Sequence, residues 1–131
     1  AWDKTLAGRP QMGKFRQQAE FVIWGSKGKW HDRKGPTRPG VFTFGVTAGG
    51  KKLHTTGKPL PLMEELLKVC PAGPVLDPFA GSATTGVAAL RSNREFVGCE
   101  LVEAYHRLGC ERLEREADVQ VNQTGNAGGP P

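Results

Sequence analysis

With 131 residues, 37% of them hydrophobic and 24% charged, the chain is long enough for one hydrophobic core and is expected to form a single soluble domain. No apolar run approaches the ~20 residues of a membrane helix, and no secretory signal pattern opens the chain. The net charge of +5 is unevenly divided: residues 1–60 carry 12 Lys and Arg against 3 acids, whereas residues 61–131 carry 6 against 10. The first half is therefore where a polyanion binds, if its basic surface is more than a solvated one. Cys70, Cys99 and Cys110 are odd in number and lack CxxC spacing. They point to a reducing compartment such as the cytoplasm and away from a structural zinc site or a disulfide framework.

Trp2-Asp3-Lys4 reads as the end of a strand that begins before the first residue. Residues 5–12, with Gly8 and Pro10, read as loop, and residues 15–20 as a short helical turn. Phe21-Val22-Ile23-Trp24 is apolar on both faces, which predicts a buried strand in the middle of a sheet, ended by Gly25. Trp24 is then a core side chain or, alternatively, a stacking platform. If neighbouring strands are missing, that strand exposes unpaired backbone, which predicts a homodimer or poor solubility.

Residues 25–52 hold the densest positive charge, Lys27, Lys29, Arg33, Lys34, Arg38, Lys51 and Lys52, interleaved with Trp30 and His31. Repeated Gly and Pro break any long element there, leaving residues 41–46 as one short strand. A flexible basic loop with an aromatic suits phosphate contacts and a wedge or stacking side chain beside an extruded base. An irregular basic loop without a partner is the plainer alternative. His54 reads as a hydrogen-bonded loop residue, since His31 and His106 are far away in sequence and no metal set is apparent. A helix is predicted over residues 60–69, with Leu62, Met63, Leu66, Leu67 and Val69 as its buried stripe.

After Cys70-Pro71-Ala72-Gly73-Pro74 comes the stretch around which the chain is organised, Val75-Leu76-Asp77-Pro78-Phe79-Ala80-Gly81-Ser82-Ala83-Thr84-Thr85-Gly86. Val75 and Leu76 read as a buried strand that Pro78 stops, because its nitrogen cannot donate to a ladder. Gly81 allows a sharp turn and close approach of a ligand, and Ser82, Thr84 and Thr85 offer hydroxyls for capping the helix that continues through Gly86–Leu90. A strand, a glycine turn and a helix N-terminus together suit a carboxylate or phosphate. A second strand over residues 94–100 ends at Glu100, 19 positions after Gly81, where a βαβ unit places a carboxylate to accept from ribose hydroxyls. Gly81-x-Ala83-x-x-Gly86 is also a variant of the dinucleotide fingerprint, so a nicotinamide dehydrogenase stays open at this point. Residues 103–115 read as a helix turning Tyr105, Leu108 and Leu113 to the sheet, and the polar, glycine-rich residues 117–131 as a disordered tail.

LDPFAGSATTG followed by REFVGCELVEAYHRLGCERL resembles the cofactor-binding core of the amino-group DNA methyltransferases, which use S-adenosylmethionine. HTTGKPLPLMEELLKVCPAG just upstream is similar to the segment that precedes this motif in the permuted class of that family, and WDK with FRQQAEFVIWGSKG resembles the region before its target-recognition segment. The resemblance covers roughly residues 1–116 and implies an α/β fold, a Rossmann-like methyltransferase sheet with flanking helices, incomplete at the N-terminus. It implies a cofactor region over residues 53–103, drawing on Thr56, Lys58, Pro59, Asp77, Phe79, Ala80, Gly81, Ser82, Thr84, Thr85, Glu100 and Leu101. Lys58 would meet the methionine carboxylate or simply lie exposed, and Asp77 would pair with the α-amino group or cap its own turn. Phe79 would pack on the adenosine or in the core, with Leu101 and Val102 near the adenine.

Residues 25–52 occupy the place of a short DNA-recognition loop, with Lys27, Lys29, Trp30, His31, Arg33, Lys34 and Arg38 against double-stranded DNA. The family usually has glycine where Ala83 stands, and the extra methyl is tolerable only at negative φ. The Asp/Asn/Ser-Pro-Pro-aromatic motif that polarises the target amine does not occur; the sole Pro-Pro is Pro130-Pro131. In the permuted class that block lies upstream, so the chain resembles the C-terminal part of such an enzyme, in need of a complementing upstream polypeptide for catalysis. A non-catalytic DNA-binding or regulatory module that keeps the cofactor pocket is the alternative.

Overall fold

The computed structural model describes residues 1–5, 12–28, 37–45 and 57–125, in two units, Ala1–Ala48 and Gly49–Pro131.

In the first unit, β1 (Trp2–Asp3) lies between β2 (Ala19–Glu20) and β3 (Phe42–Thr43). It pairs antiparallel with β2, Trp2 opposite Glu20, and parallel with β3, Trp2 opposite Phe42. Trp2 is buried, and its indole Nε1 donates to the Phe44 carbonyl at 2.7 Å, so the ring is held at both its apolar body and its polar tip. Lys4 donates to the Gln18 carbonyl and its ammonium meets Glu20 at 3.2 Å, which closes the β2 side.

Two expectations fail here. Residues 15–18 form no helical turn, and the chain enters β2 directly. Phe21–Trp24 is neither a strand nor buried: Phe21, Ile23 and Trp24 are exposed and Val22 nearly half so. The reason lies in the ladder, because β1 offers pairing opposite Ala19 and Glu20 only. Apolar side chains favour a strand only where a neighbouring backbone takes up its N–H and C=O groups.

In the second unit the predicted strands and helices appear in the predicted order, although Leu76, expected to be buried, is exposed. α1 (Leu60–Leu67) starts at Pro59, whose fixed φ suits a helix entry, and Leu62 and Met63 donate to its carbonyl. It buries Leu62 and Leu67, each contributing about 1.5–3 kcal/mol on leaving water. It ends two residues before Val69, which is exposed. β4 (Val75–Asp77) and β5 (Phe96–Gly98) pair in parallel, with Val75 opposite Phe96, Leu76 opposite Val97 and Asp77 opposite Gly98. α2 (Thr84–Arg91) connects them. Its Ala88 and Ala89 are fully buried, small enough to let α2 settle onto the strands beside Leu67 and Val75, with Leu60, Met63 and Phe96 around them.

α3 (Glu103–Gly125) packs on the other flank of α2. Arg91 of α2 ties the three helices together, with Nε 2.7 Å and Nη2 3.0 Å from Glu116 of α3 and Nη1 3.4 Å from Glu64 of α1. The same hydrogen bond raises the Arg91 pKa and lowers that of Glu116. The sheet is covered on one face: Val75 and Phe96 meet the helices, whereas Leu76 and Val97 point to solvent. A disordered tail from residue 117 is corrected, since α3 continues to Gly125. Residues 111–120, rich in Glu and Arg, are good helix formers, and Arg112, Leu113 and Glu116 anchor them to the turn and to α2. Residues 126–131 lie outside the described ones. Among the described residues no helix is long and apolar enough to cross a membrane.

Candidate functional site

The carboxyl ends of β4 and β5 converge on one turn. Past Asp77 the chain leaves the ladder at Pro78 but stays tethered, with Ala80 donating to the Cys99 carbonyl at 2.8 Å and Cys99 to the Asp77 carbonyl at 2.9 Å. Gly81 then adopts φ +55, and a Cβ built on it meets nothing within 4 Å, so there is open space beside the backbone. The outer ends of parallel strands, with a glycine turn leading into a helix, are where open α/β sheets bind ligands.

Two carboxylates shape this turn. Asp77 Oδ1 accepts from Phe79 N–H at 3.0 Å and Oδ2 from the Thr85 hydroxyl at 2.7 Å. Asp77 therefore caps its own turn, and each oxygen keeps a further lone pair for a ligand donor. Glu100 reaches back across the turn: Oε2 accepts from Gly81 N–H at 2.8 Å and Oε1 from Val102 N–H at 2.8 Å. The strand-end acid and the glycine turn, 19 residues apart, are thus in direct contact.

Pro78, Phe79, Cys99, Glu100 and Leu101 line an open groove of about 340 Å³. Phe79 is 88% exposed and Leu101 98%, so neither belongs to the core; Phe79 offers a flat ring and Leu101 a branched apolar side chain next to the Glu100 carboxylate. An apolar wall with an acceptor at its edge fits a heteroaromatic ring joined to a sugar, and the Asp77 carboxylate fits an ammonium. The residues present therefore suit an adenosyl amino acid. Pro78 and Cys99 join the groove although sequence reasoning passed over them; their alternation with Asp77 and Gly98 along the strand ends was the available signal.

The hydroxyls behave differently from expectation. The residue capping α2 is Ala83, and no side chain caps the helix. Ser82 is buried, with Oγ 3.0 Å from Arg112 Nη1, while Thr85 is bound to Asp77. Ala83 is left-handed, at φ 58, which corrects the expectation that a residue with a Cβ is tolerated here only at negative φ. Such a conformation costs ~1–2 kcal/mol, and the neighbours of the turn must hold it.

Lys58 is exposed and Pro59 buried at the entry to α1. Lys58 is not among the residues lining the groove. Thr56 falls outside the described residues, as do Lys29, Trp30, His31, Arg33 and Lys34 of the basic stretch. Lys27 and Arg38 are described and exposed. Among the described residues no group of His, Cys, Asp and Glu could hold a metal ion.

A family model described as DNA methylase matches residues 1–111. YubD of Escherichia coli (strain K12) is 44% identical over 112 residues, covering 84% of this chain and 47% of that protein. The type II methyltransferase M2.DpnII of Streptococcus pneumoniae is 40% identical over 139 residues, covering 90% of this chain and 51% of that protein. The solved structure of the M1.HpyAVI–SAM complex is similar at a TM-score of 0.60 with 29% identity, covering 86% of this chain and 59% of that one. The chain spans about half the length of these curated relatives.

Proposed function

The chain belongs to the DNA methylase family, the N6/N4 amino-group methyltransferases that use S-adenosylmethionine, and from that premise we propose that its Gly49–Pro131 unit binds this cofactor at the β4 turn. The observation that carries the reading is the Glu100 carboxylate fastened to Gly81 N–H beside the Phe79–Leu101 groove. Glu100 would accept from the ribose hydroxyls, Asp77 from the α-amino group, and Phe79 and Leu101 would flank the adenine. Ala80, Gly81, Ser82, Thr84 and Thr85 would form the turn around it, Lys58 would meet the methionine carboxylate, and Thr56 and Pro59 would complete the cofactor-binding set.

When bound, the cofactor supplies a methyl already activated on a sulfonium. The protein's task is then to orient the acceptor amine and exclude water. We place that amine on adenine or cytosine of double-stranded DNA, held through Lys27, Lys29, Trp30, His31, Arg33, Lys34 and Arg38. The order of the segments, basic stretch before cofactor turn, supports the permuted class. No Asp/Asn/Ser-Pro-Pro-aromatic motif occurs in these 131 residues. The residues that polarise the amine therefore come from elsewhere, on an upstream segment or a complementing polypeptide.

Calorimetric titration of the 131-residue chain with S-adenosylmethionine, repeated on Asp77→Ala and Glu100→Ala with thermal melts as controls, tests the site. Saturable binding that both substitutions weaken at preserved folding is expected. A folded wild-type chain that takes up no cofactor sinks the proposal. Fluorescence anisotropy of a labelled duplex should show binding that weakens as salt rises, and a salt-independent signal or none would remove DNA as the partner.

A further inference from the structure

The turn between β4 and α2 is gripped from behind by a residue that no part of the cofactor reading uses. α3 approaches the turn at Gly109, where a Cβ would meet Ala83 Cβ at 3.3 Å and the Gly81 carbonyl at 3.4 Å. The helix can come this close because that position lacks a side chain. One turn further along the same face, Arg112 donates from Nη1 to the Ser82 carbonyl, with Ser82 Oγ at 3.0 Å and Thr84 Oγ1 at 3.3 Å.

The neighbours of this arginine are unusual. All the partners it has among the described residues are neutral oxygens of the turn, and the nearby charge that acts on it is another cation, Arg115. Burial and that repulsion lower its pKa. A half-buried guanidinium is ordinarily matched by a carboxylate, as Arg91 is by Glu116. Arg112 instead spends its donors on a backbone carbonyl flanked by two left-handed residues, Gly81 at φ 55 and Ala83 at φ 58. Rotating the Ser82–Ala83 peptide would relax Ala83, and that rotation would carry the carbonyl away from Arg112.

We propose that Arg112 is a positioning residue for the cofactor: it fixes the Ser82 carbonyl and so holds the strained Gly81–Thr84 backbone in the form that binds S-adenosylmethionine. The proposal rests on the cofactor reading above. It adds that the shape of the site depends on α3, a helix that contributes no side chain to the groove lining.

The test uses the full 131-residue chain with Arg112→Met, which keeps an apolar stem and removes every donor, and Arg112→Lys, which keeps a cation and one donor group. Three quantities are read: the thermal midpoint, the amide resonances of Gly81, Ser82, Ala83 and Thr84, and the dissociation constant for S-adenosylmethionine. Loss of a charge-assisted hydrogen bond should weaken cofactor binding about tenfold or more in Arg112→Met. The four turn amides should shift or broaden while those of α1 stay in place, and Arg112→Lys should recover part of both. A merely structural role would lower the midpoint and disturb α1 and the turn alike, with no recovery of affinity in the lysine variant; that pattern overturns the proposal. So does Arg112→Met binding within twofold of wild type with unmoved turn amides. If Arg112→Met does not fold, the lysine variant decides: a wild-type affinity with displaced turn amides overturns the proposal, and a parallel loss supports it. A folded wild-type chain that binds no cofactor, with turn amides that still respond to Arg112→Met, defeats the cofactor reading and reduces Arg112 to a brace.

Discussion

Between Gly49 and Pro131, Leu62, Leu67, Val75, Val87, Ala88 and Ala89 are buried, whereas between Ala1 and Ala48 Trp2 is buried and Phe15, Phe21, Ile23 and Trp24 face solvent. Apolar side chains abound in both units, so hydrophobicity alone does not separate them. The difference is one of hydrogen-bond locality. A helix closes its backbone bonds within itself and then needs only a partner for one stripe, as α1 and α2 find in each other. A strand needs another backbone alongside, and in the first unit each strand has two paired residues.

If the first unit hangs on one side chain, removing it should be the most damaging change. Trp2→Ala deletes the buried ring and the bond to Phe44, at a cost of about 3–5 kcal/mol. Hydrogen exchange should report it locally: Phe42 and Phe44 amides, which donate to Ala1 and Asp3, lose protection, while Val75 and Cys99 amides keep theirs. Equal loss in both units would show one cooperative body and end the comparison.

The second unit should be sensitive to volume instead. A Cβ on Gly86 would sit 2.7 Å from Leu113 Cδ2 and from Phe96 Cδ1, inside contact distance. Gly86→Ala is expected to cost about 1–3 kcal/mol in a denaturant melt followed by helical circular dichroism. Gly25→Ala, where nothing lies within 4 Å, should stay within about 0.5 kcal/mol. A neutral Gly86→Ala would mean that Phe96 packs more loosely than its position indicates.

The smallest stability change is expected at side chains that face solvent. Phe21→Ser combined with Ile23→Ser, at side chains 85% and 96% exposed, should alter stability by about 0.5 kcal/mol or less. The same pair should reduce self-association in sedimentation velocity, if this apolar strip is what a second copy covers. Association unchanged by the double substitution would remove the strip from that role.

Much of the second unit was legible before any coordinates. The stripe Leu62, Met63, Leu66 and Leu67 announced α1, Pro78 the end of β4, and the 19-residue step from Gly81 to Glu100 a βαβ unit, although the bond from Gly81 N–H to Glu100 at 2.8 Å was not foreseen. These signals are readable because each concerns neighbours in sequence or one βαβ repeat. The same reasoning misjudged Phe21–Trp24, where the pattern described what a strand would bury and was silent on whether another strand lies beside it. It also assigned Ser82 and Thr84 to capping, although their hydroxyls turn to Arg112.

By itself, then, the sequence determined the helices, the two parallel strands of the second unit and the identity of the glycine turn, since those follow from local periodicity, proline and glycine placement and propensity. Tertiary structure decided the sign of φ at Ala83, the inward direction of the Ser82 hydroxyl and the arrival of Arg112 from 30 residues away. Each depends on how closely α3 packs behind the turn, a distance set by the missing side chain at Gly109 and by the folding of both segments onto α2.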